Sequence, residues 1–256
     1  MPEPDTAAID EAAALFRGAG SVLFVTGAGL SADSGLPTYR GVGGLYNGTD
    51  PEDGLPIESV MSGDTFRERP ALTWKYLRQI EAASRGAAPN RGHEVIAGME
   101  HHFGRVWVLT QNVDGFHRRA GSRNVIDIHG DLHAVRCTRC RYATEVEDYA
   151  GLAPLPHCPD CGAVVRPAVV LFGERLPARQ LELYQRETAR GFDVMLSVGT
   201  TSVFPYISAP ILDAYHCRKP CVEINPGDTD VSEFVTVRLR LGAAAALDAV
   251  WAAYTR

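Results

Sequence analysis

The stretch Ser21–Arg40, SVLFVTGAGLSADSGLPTYR, constrains the fold more than any other part of the chain. An apolar, β-branched run from Val22 to Thr26 breaks at Gly27-Ala28-Gly29 and passes into small polar residues and Gly35. A buried strand ending this way can leave backbone N–H groups for a phosphate. Gly27, Gly29 and Ala32 also fit the G-x-G-x-x-G/A spacing, in which glycine permits a tight turn and close approach to a pyrophosphate. A plain strand-to-helix turn has the same composition, so on this motif alone both readings stay open. The acidic residue expected about twenty positions on, at a strand end, has no counterpart, because Asp50, Glu52 and Asp53 lie in a Gly/Pro-rich segment. Any nucleotide is therefore held by a variant of the dinucleotide scheme.

The rest of the chain repeats the strand-then-polar-loop pattern. Val106–Thr110 runs into Gln111-Asn112-Val113-Asp114, Asn124–Ile128 ends at His129-Gly130, and Phe192–Val198 ends at Gly199-Thr200-Thr201-Ser202. Pro220–Ile224 stops at Asn225-Pro226-Gly227, and a short strand is expected near Val235–Leu239. Helical patterns lie between them, at about residues 6–16, 71–84, 92–102, 177–190, 206–216 and 243–254. Strands alternating with helices, with polar loops after the strand ends, give an α/β fold with a doubly wound, mostly parallel sheet. In such sheets the ligand contacts gather where these loops are. Asp114 could equally cap a short helix through Arg119, and His129 could be a satisfied structural residue. Its unperturbed pKa near 6.5 also suits an imidazole to general-base work.

Cys137-Thr-Arg-Cys140 and Cys158-Pro-Asp-Cys161 are separated by a spacing that fits a tetrahedral zinc site. Four thiolates close the coordination sphere, so such a metal is structural; a redox dithiol pair is the other reading. Cys217 and Cys221 remain, and packing is the role expected of them. Paired C-x-x-C motifs indicate a reducing compartment, and the cytoplasm is expected. The net charge of −6 argues against nucleic acid or an anionic membrane as the main partner. No run of about 18 apolar residues is present to span a bilayer, and MPEPDTAAIDEAAALF lacks the positive start of a secretory signal. With 256 residues, 45% of them hydrophobic, the chain can form one domain or one domain with a small insertion.

GAGLSADSGLPTYRG, TQNVDGFHRRAG, the HG pair, two C-x-x-C pairs, RPAVVLFGE, a GTT turn and a late EIN follow one another here. In that order, over about residues 20–245, they resemble the sirtuins of the Sir2 family, bacterial-type NAD-dependent protein deacylases. The resemblance implies a Rossmann-like doubly wound parallel sheet with a small inserted zinc-ribbon module. It divides the chain into a Rossmann-like NAD-binding domain (1–40, 105–131 and 167–256), a mobile loop and helical insertion (41–104) and a zinc-binding module (132–166). NAD and an acyl-lysine protein substrate would meet in the cleft between them. One structural zinc, on Cys137, Cys140, Cys158 and Cys161, and a monomeric state are implied.

The resemblance also assigns roles to residues. Gly27, Ala28, Gly29, Ser31 and Ala32 would hold NAD phosphate, with Pro37, Tyr39 and Arg40 beside them. Tyr39 stands where the family usually has Phe to shield the reactive ribose carbon. Gln111, Asn112, Val113 and Asp114 would orient the nicotinamide ribose and carboxamide. His129 would be the general base, with Asn112 and Asp114 completing the catalytic group. Gly199, Thr200 and Thr201 would touch ribose and phosphate, Asn225 and Pro226 the adenosine, and Ala243 the adenine edge. Val169, Val170, Phe172, Gly173 and Glu174 would line the groove for an extended peptide.

The implied reaction removes nicotinamide from NAD, and the acyl oxygen of the substrate captures the ribose carbon. A ribose hydroxyl then attacks the acyl carbon while His129 takes its proton, giving free lysine and O-acyl-ADP-ribose. No Ser or Cys nucleophile is needed. Sirtuins that prefer succinyl or malonyl lysine carry a Tyr-x-x-Arg pair that meets the substrate carboxylate. Here Leu77 and Ile80 stand at those places, so deacetylation or removal of another uncharged acyl group is expected. Mono-ADP-ribosyl transfer to protein, and an NAD-responsive binding module with little turnover, are the alternative readings.

Overall fold

The computed structural model describes residues 5–38 and 54–256. The first half contains α1 (Thr6–Leu15), β1 (Ser21–Thr26), α2 (Ala28–Ala32), α3 (Ile57–Val60), α4 (Gly63–Glu68), α5 (Pro70–Ser84), α6 (Arg91–Met99), β2 (Arg105–Thr110), α7 (Phe116–Arg119) and β3 (Val125–Asp127). Then come β4 (Gly130–Cys137), β5 (Ala143–Glu145), β6 (Val165–Val169), α8 (Ala178–Ala189), β7 (Val194–Val198), α9 (Pro205–His216), β8 (Cys221–Ile224), β9 (Val237–Leu239) and α10 (Ala243–Tyr254).

β1 reads as a continuous apolar run because helices cover both of its faces. On one face Phe24 and Val22 pack with Phe16 of the α1 end, Ile96 of α6 and Leu247 of α10. On the other, Leu23 and Val25 pack with Ile207 and Ile211 of α9. Asp5 caps α1 by accepting from the Ala7 and Ala8 N–H groups, and Ile9, Ala12 and Ala13 put its apolar stripe inward. The six strands are parallel, in the order β3-β2-β1-β7-β8-β9. The order reverses beside β1, whose neighbours are β2 and β7. The crevice beyond the C-terminal ends of these three strands is the switch point where such sheets bind ligands.

The expected parallel sheet and inserted module are thus present, and two details go beyond the sequence pattern. The Arg166–Glu174 run does not join the parallel sheet: Val165–Val169 pairs antiparallel with β4 in a three-stranded sheet of order β5-β4-β6. Its apolar residues are buried against α3–α5 instead, in a core of Val60, Trp74, Leu77, Leu132, Val169 and Leu171. A buried antiparallel strand and a buried parallel one have the same composition. Second, α6 ends at Met99 rather than His102, because the turn beyond it tightens: the N–H groups of Glu100, His101 and His102 donate to the carbonyls three residues back, those of Ala97, Gly98 and Met99.

α5 packs on the small sheet and holds the loops of the inserted module. Trp74 Nε1 donates to the Val165 carbonyl at 2.9 Å, and its ring meets Tyr149 edge-on at 5.4 Å. Arg78 donates to the carbonyls of Tyr149 at 2.8 Å and Leu152 at 3.1 Å, and also to that of Ala153. Tyr39, Arg40 and most of the loop expected to fold over the ligand lie outside the described residues. No helix among the described residues is long and apolar enough to cross a membrane.

Candidate active site

Two glycine turns meet at the switch point. The Gly27 N–H donates to the Val198 carbonyl at 3.1 Å, and the Gly29 N–H to the Gly199 carbonyl at 2.8 Å. The Gly27 and Gly29 N–H groups are thus used within the protein. The glycines serve close approach. A Cβ on Gly29 would stand 2.7 Å from Gly199 Cα, and one on Gly199, which has φ +60°, would stand 2.4 Å from the Leu30 nitrogen. Gly199→Ala is therefore expected to cost roughly 2 kcal/mol or more of strain and displacement, lowering the melting temperature by about 4–8 °C in a thermal scan.

Ser31 is the hub of the next layer. Its hydroxyl donates to Asp114 Oδ2 at 2.7 Å and accepts from Asn112 Nδ2 at 3.0 Å. Asn112 Nδ2 also donates to the Gly27 carbonyl at 3.1 Å. Asp114 Oδ1 accepts from the Phe116 N–H at 2.9 Å, so it starts α7 and faces the site at once. Burial raises the Asp114 carboxyl above its ordinary value, while the Ser31 and Phe116 bonds oppose the rise. Gln111 Nε2 donates to Thr200 Oγ1 at 2.7 Å, and Asn225 Nδ2 to the Thr200 carbonyl at 3.1 Å. These bonds tie together the ends of β2, β7 and β8.

His129 follows β3 and is fixed from both sides of its backbone. Its carbonyl accepts from the Val170 N–H at 2.8 Å, and the next residue, Gly130, has φ +86° with an imagined Cβ 1.8 Å from the Ala168 carbonyl oxygen. Only glycine fits there, which accounts for the HG pair. His129 Nδ1 donates to the Gln111 carbonyl at 3.2 Å, since a carbonyl can only accept. Nε2 is then the lone-pair nitrogen, and it accepts from the Tyr206 hydroxyl at 2.6 Å. Burial pushes the imidazole down to about 4, so it stays neutral and able to accept a proton through the neutral range.

These groups open on one cavity of about 830 Å³. It is lined by Gly27, Ala28, Gly29 and Ala32 from the first turn, and by Gly199, Thr200 and Thr201 from the second. Asn225, Pro226 and Ala243 line it as well, as do Gln111, Asn112, Val113 and His129. Val169, Val170, Phe172, Gly173 and Glu174 line the side next to the small sheet. Ser31, Pro37 and Asp114 line a smaller adjoining pocket with Asn112 and Val113. Part of the expected peptide edge is already paired: the Phe172 N–H donates to the Met61 carbonyl and its carbonyl accepts from the Gly63 N–H, both at 2.9 Å. Arg166 fixes Glu174, donating to it at 2.6 and 3.1 Å.

Sequence reading alone missed several lining residues. Asp33 accepts from the Ala244 N–H at 2.7 Å and so positions the start of α10 beside the cavity. Met61 and Leu132 join Leu77 and Ile80 in an apolar end. Phe204 and Tyr206 stand against His129; the F-P-Y sequence after the small-residue turn is the signal that could have found them.

The four cysteines form a second centre. Their sulfur atoms all lie within 4.8 Å of one another, with Cys137–Cys161 and Cys140–Cys158 each at 3.5 Å. A tetrahedron of roughly 2.3 Å Zn–S bonds has sulfur–sulfur edges of about 3.8 Å, so the cluster fits one structural zinc. The Cys140 and Arg139 N–H groups point at Cys137 Sγ and lower that thiol to about 6, favouring the thiolate a metal needs. Of the remaining two, Cys221 is packed as expected, whereas Cys217 is exposed at the end of α9.

Comparison with known proteins agrees with the geometry. Residues 27–205 match the model of the Sir2 family. The NAD-dependent protein deacylase 2 of Pseudomonas aeruginosa is 50% identical over 227 residues, covering 87% of this chain and 88% of that protein. A Sir2 homologue solved as an ADP-ribose complex superposes with a TM-score of 0.86 at 36% identity, over 96% of both chains. A Sir2 solved with a deacetylated p53 peptide and 3'-O-acetyl ADP-ribose gives 0.84 at 28% identity, over 94% of this chain and 96% of that one. With a parallel sheet that reverses at two interlocked glycine turns and a four-cysteine cluster on the inserted sheet, the chain belongs to the Sir2 family.

Proposed function

We infer that this chain is an NAD-dependent protein lysine deacylase, and we propose His129 as its general base, with Asn112 and Asp114 orienting the co-substrate. The observation that carries the assignment of roles is the orientation of His129: Nδ1 is spent on the Gln111 carbonyl, which leaves Nε2 as the basic nitrogen, and the residue lines the cavity that also holds the glycine turns. NAD supplies an electrophilic ribose carbon when nicotinamide leaves, and the neutral acyl oxygen is its nucleophile. Asn112, anchored on Gly27 and Ser31, and Asp114, anchored on Ser31, form a fixed polar edge for the nicotinamide ribose and carboxamide. The Gly27–Ala32 and Gly199–Thr201 turns hold the phosphates, with Pro37, Tyr39 and Arg40 on the same side; Asn225, Pro226 and Ala243 take the adenosine. Val169–Glu174 receive the peptide. The division of the chain into NAD-binding domain, helical insertion and zinc module is proposed on the same basis.

The substrate is an uncharged acyl-lysine. Leu77, Ile80, Met61 and Leu132 line the acyl end, and no Lys or Arg among the described residues lines the cavity. A succinyl carboxylate there would lose its hydration without gaining a cation. Arg78, which might have served, is committed to carbonyls of the zinc module. A monomer in the cytoplasm is proposed, where a thiolate zinc set stays reduced, and the overall charge of −6 favours protein over nucleic acid as its partner.

Incubation with NAD and matched acetyl- and succinyl-lysine peptides, read by mass, tests the assignment. The acetyl peptide is expected to give free lysine, nicotinamide and O-acetyl-ADP-ribose, with turnover at least tenfold above the succinyl peptide. A peptide that gains ADP-ribose, or a succinyl preference, overturns it.

A further inference from the structure

We propose that Tyr206 is a second catalytic residue, which carries the proton from the ribose hydroxyl to His129. This rests on His129 being the base. The tautomer fixed by Gln111 leaves Nε2 as the accepting nitrogen, and the Tyr206 hydroxyl already occupies it at 2.6 Å. A ribose hydroxyl therefore meets a phenol before it meets the imidazole. The phenol oxygen keeps lone pairs after donating its own hydrogen, so it can accept the ribose proton.

The phenol is held where it stands. Phe204 and Tyr206 stack at 5.6 Å with an interplanar angle of 14°, and both meet the His129 ring edge-on, at 5.7 and 5.9 Å. All three line the cavity. The turn that delivers them puts Ser202 at φ 57°, a left-handed conformation unusual for a residue with a side chain, and buries it. Swinging Tyr206 clear of His129 would break the aromatic trio, whereas passing a proton needs no movement of any ring.

The flanking acidities favour a single concerted movement. Burial raises the phenol to about 12 and lowers the imidazole to about 4, with no charged side chain contributing to either shift. Neither a standing tyrosinate nor a standing imidazolium is therefore needed near neutrality. In the step, the ribose O–H breaks and its electron pair forms the new C–O bond to the acyl carbon. The released proton joins the Tyr206 oxygen as the tyrosine proton moves to His129 Nε2. The imidazolium returns that proton along the same path to the lysine nitrogen as the C–N bond breaks, and a water molecule then adds to the acyl carbon, losing a proton, to open the ring to O-acyl-ADP-ribose.

The test compares wild type with Y206F, H129A and the double variant, using NAD and an acetyl-lysine peptide. Exchange of labelled nicotinamide into NAD reports bond cleavage, which precedes the relay. Y206F is expected to lose at least tenfold in turnover with exchange within twofold of wild type. The double variant should equal H129A. In mixtures of light and heavy water the wild-type rate should bow, as two protons move, and the Y206F rate should fall linearly. Turnover of Y206F within twofold of wild type, or above it, overturns the relay, as does a parallel loss of exchange. Full turnover in H129A overturns the base assignment itself, and an inactive H129A beside an active Y206F overturns the relay alone.

Discussion

His129→Ala should lower deacylation turnover by about 10²–10⁴-fold, the usual contribution of a positioned general base. The substitution removes a ring whose bonds run to the Gln111 main-chain carbonyl and to Tyr206, and it leaves untouched the bonds that join the two glycine turns. Those turns are locked by Gly29 to Gly199 and by Gln111 to Thr200, so NAD affinity and zinc content should be unchanged. The pH dependence has a definite sign. Because burial depresses the imidazole to about 4, kcat/KM should fall as the pH drops through that region, not through the ordinary value near 6.5. A His129→Ala protein that turns over like wild type, measured by product mass against time, would remove the foundation of the assignment.

Stripping the metal should have the second large effect. In small zinc modules the metal contributes on the order of 10–16 kcal/mol at neutral pH, more than a sheet of this size can supply by itself. The local hydrophobic core around the cysteines is small, with Val135, Cys137, Cys158 and Val165 as its buried members. β4 begins immediately after His129, and β6 leads directly into Val170–Glu174. Unravelling the cysteine end therefore loosens both strands that reach the catalytic cleft. Chelation, or Cys158→Ser, should release one zinc per chain, lower the melting temperature and abolish turnover. The parallel sheet, with separate cores on its two faces, should survive in the far-ultraviolet circular dichroism. A metal-free protein of unchanged melting temperature and full turnover would contradict the structural role.

The parallel strands were legible because burial on both faces forces continuous apolar runs, as in Val22–Thr26 and Val194–Val198. Helix starts are marked in the chain where a side chain caps them: Asp5 accepts from the Ala7 and Ala8 N–H groups of α1, and Asn90 from the Gly92 N–H of α6. The small sheet was hidden: β5, Ala143–Glu145, is exposed throughout, and β4 owes its shape to an irregular register between Asp131 and Val135. Site residues carried by turns were readable from composition, since only glycine allows Gly27, Gly29 and Gly199 to approach each other. Tyr206 was read only as the start of a helix, because its bond to His129 spans 77 positions and leaves no periodic trace.

One helix carries two duties. Leu77 and Ile80 of α5 border the apolar end of the cavity, while Trp74 and Arg78, one turn apart on the same helix, grip the sheet that carries the cysteines. Attempts to retune the enzyme toward bulkier modifications by whittling this helix will thus disturb its clasp on the ribbon, so selectivity and heat tolerance should drift together across any engineered series.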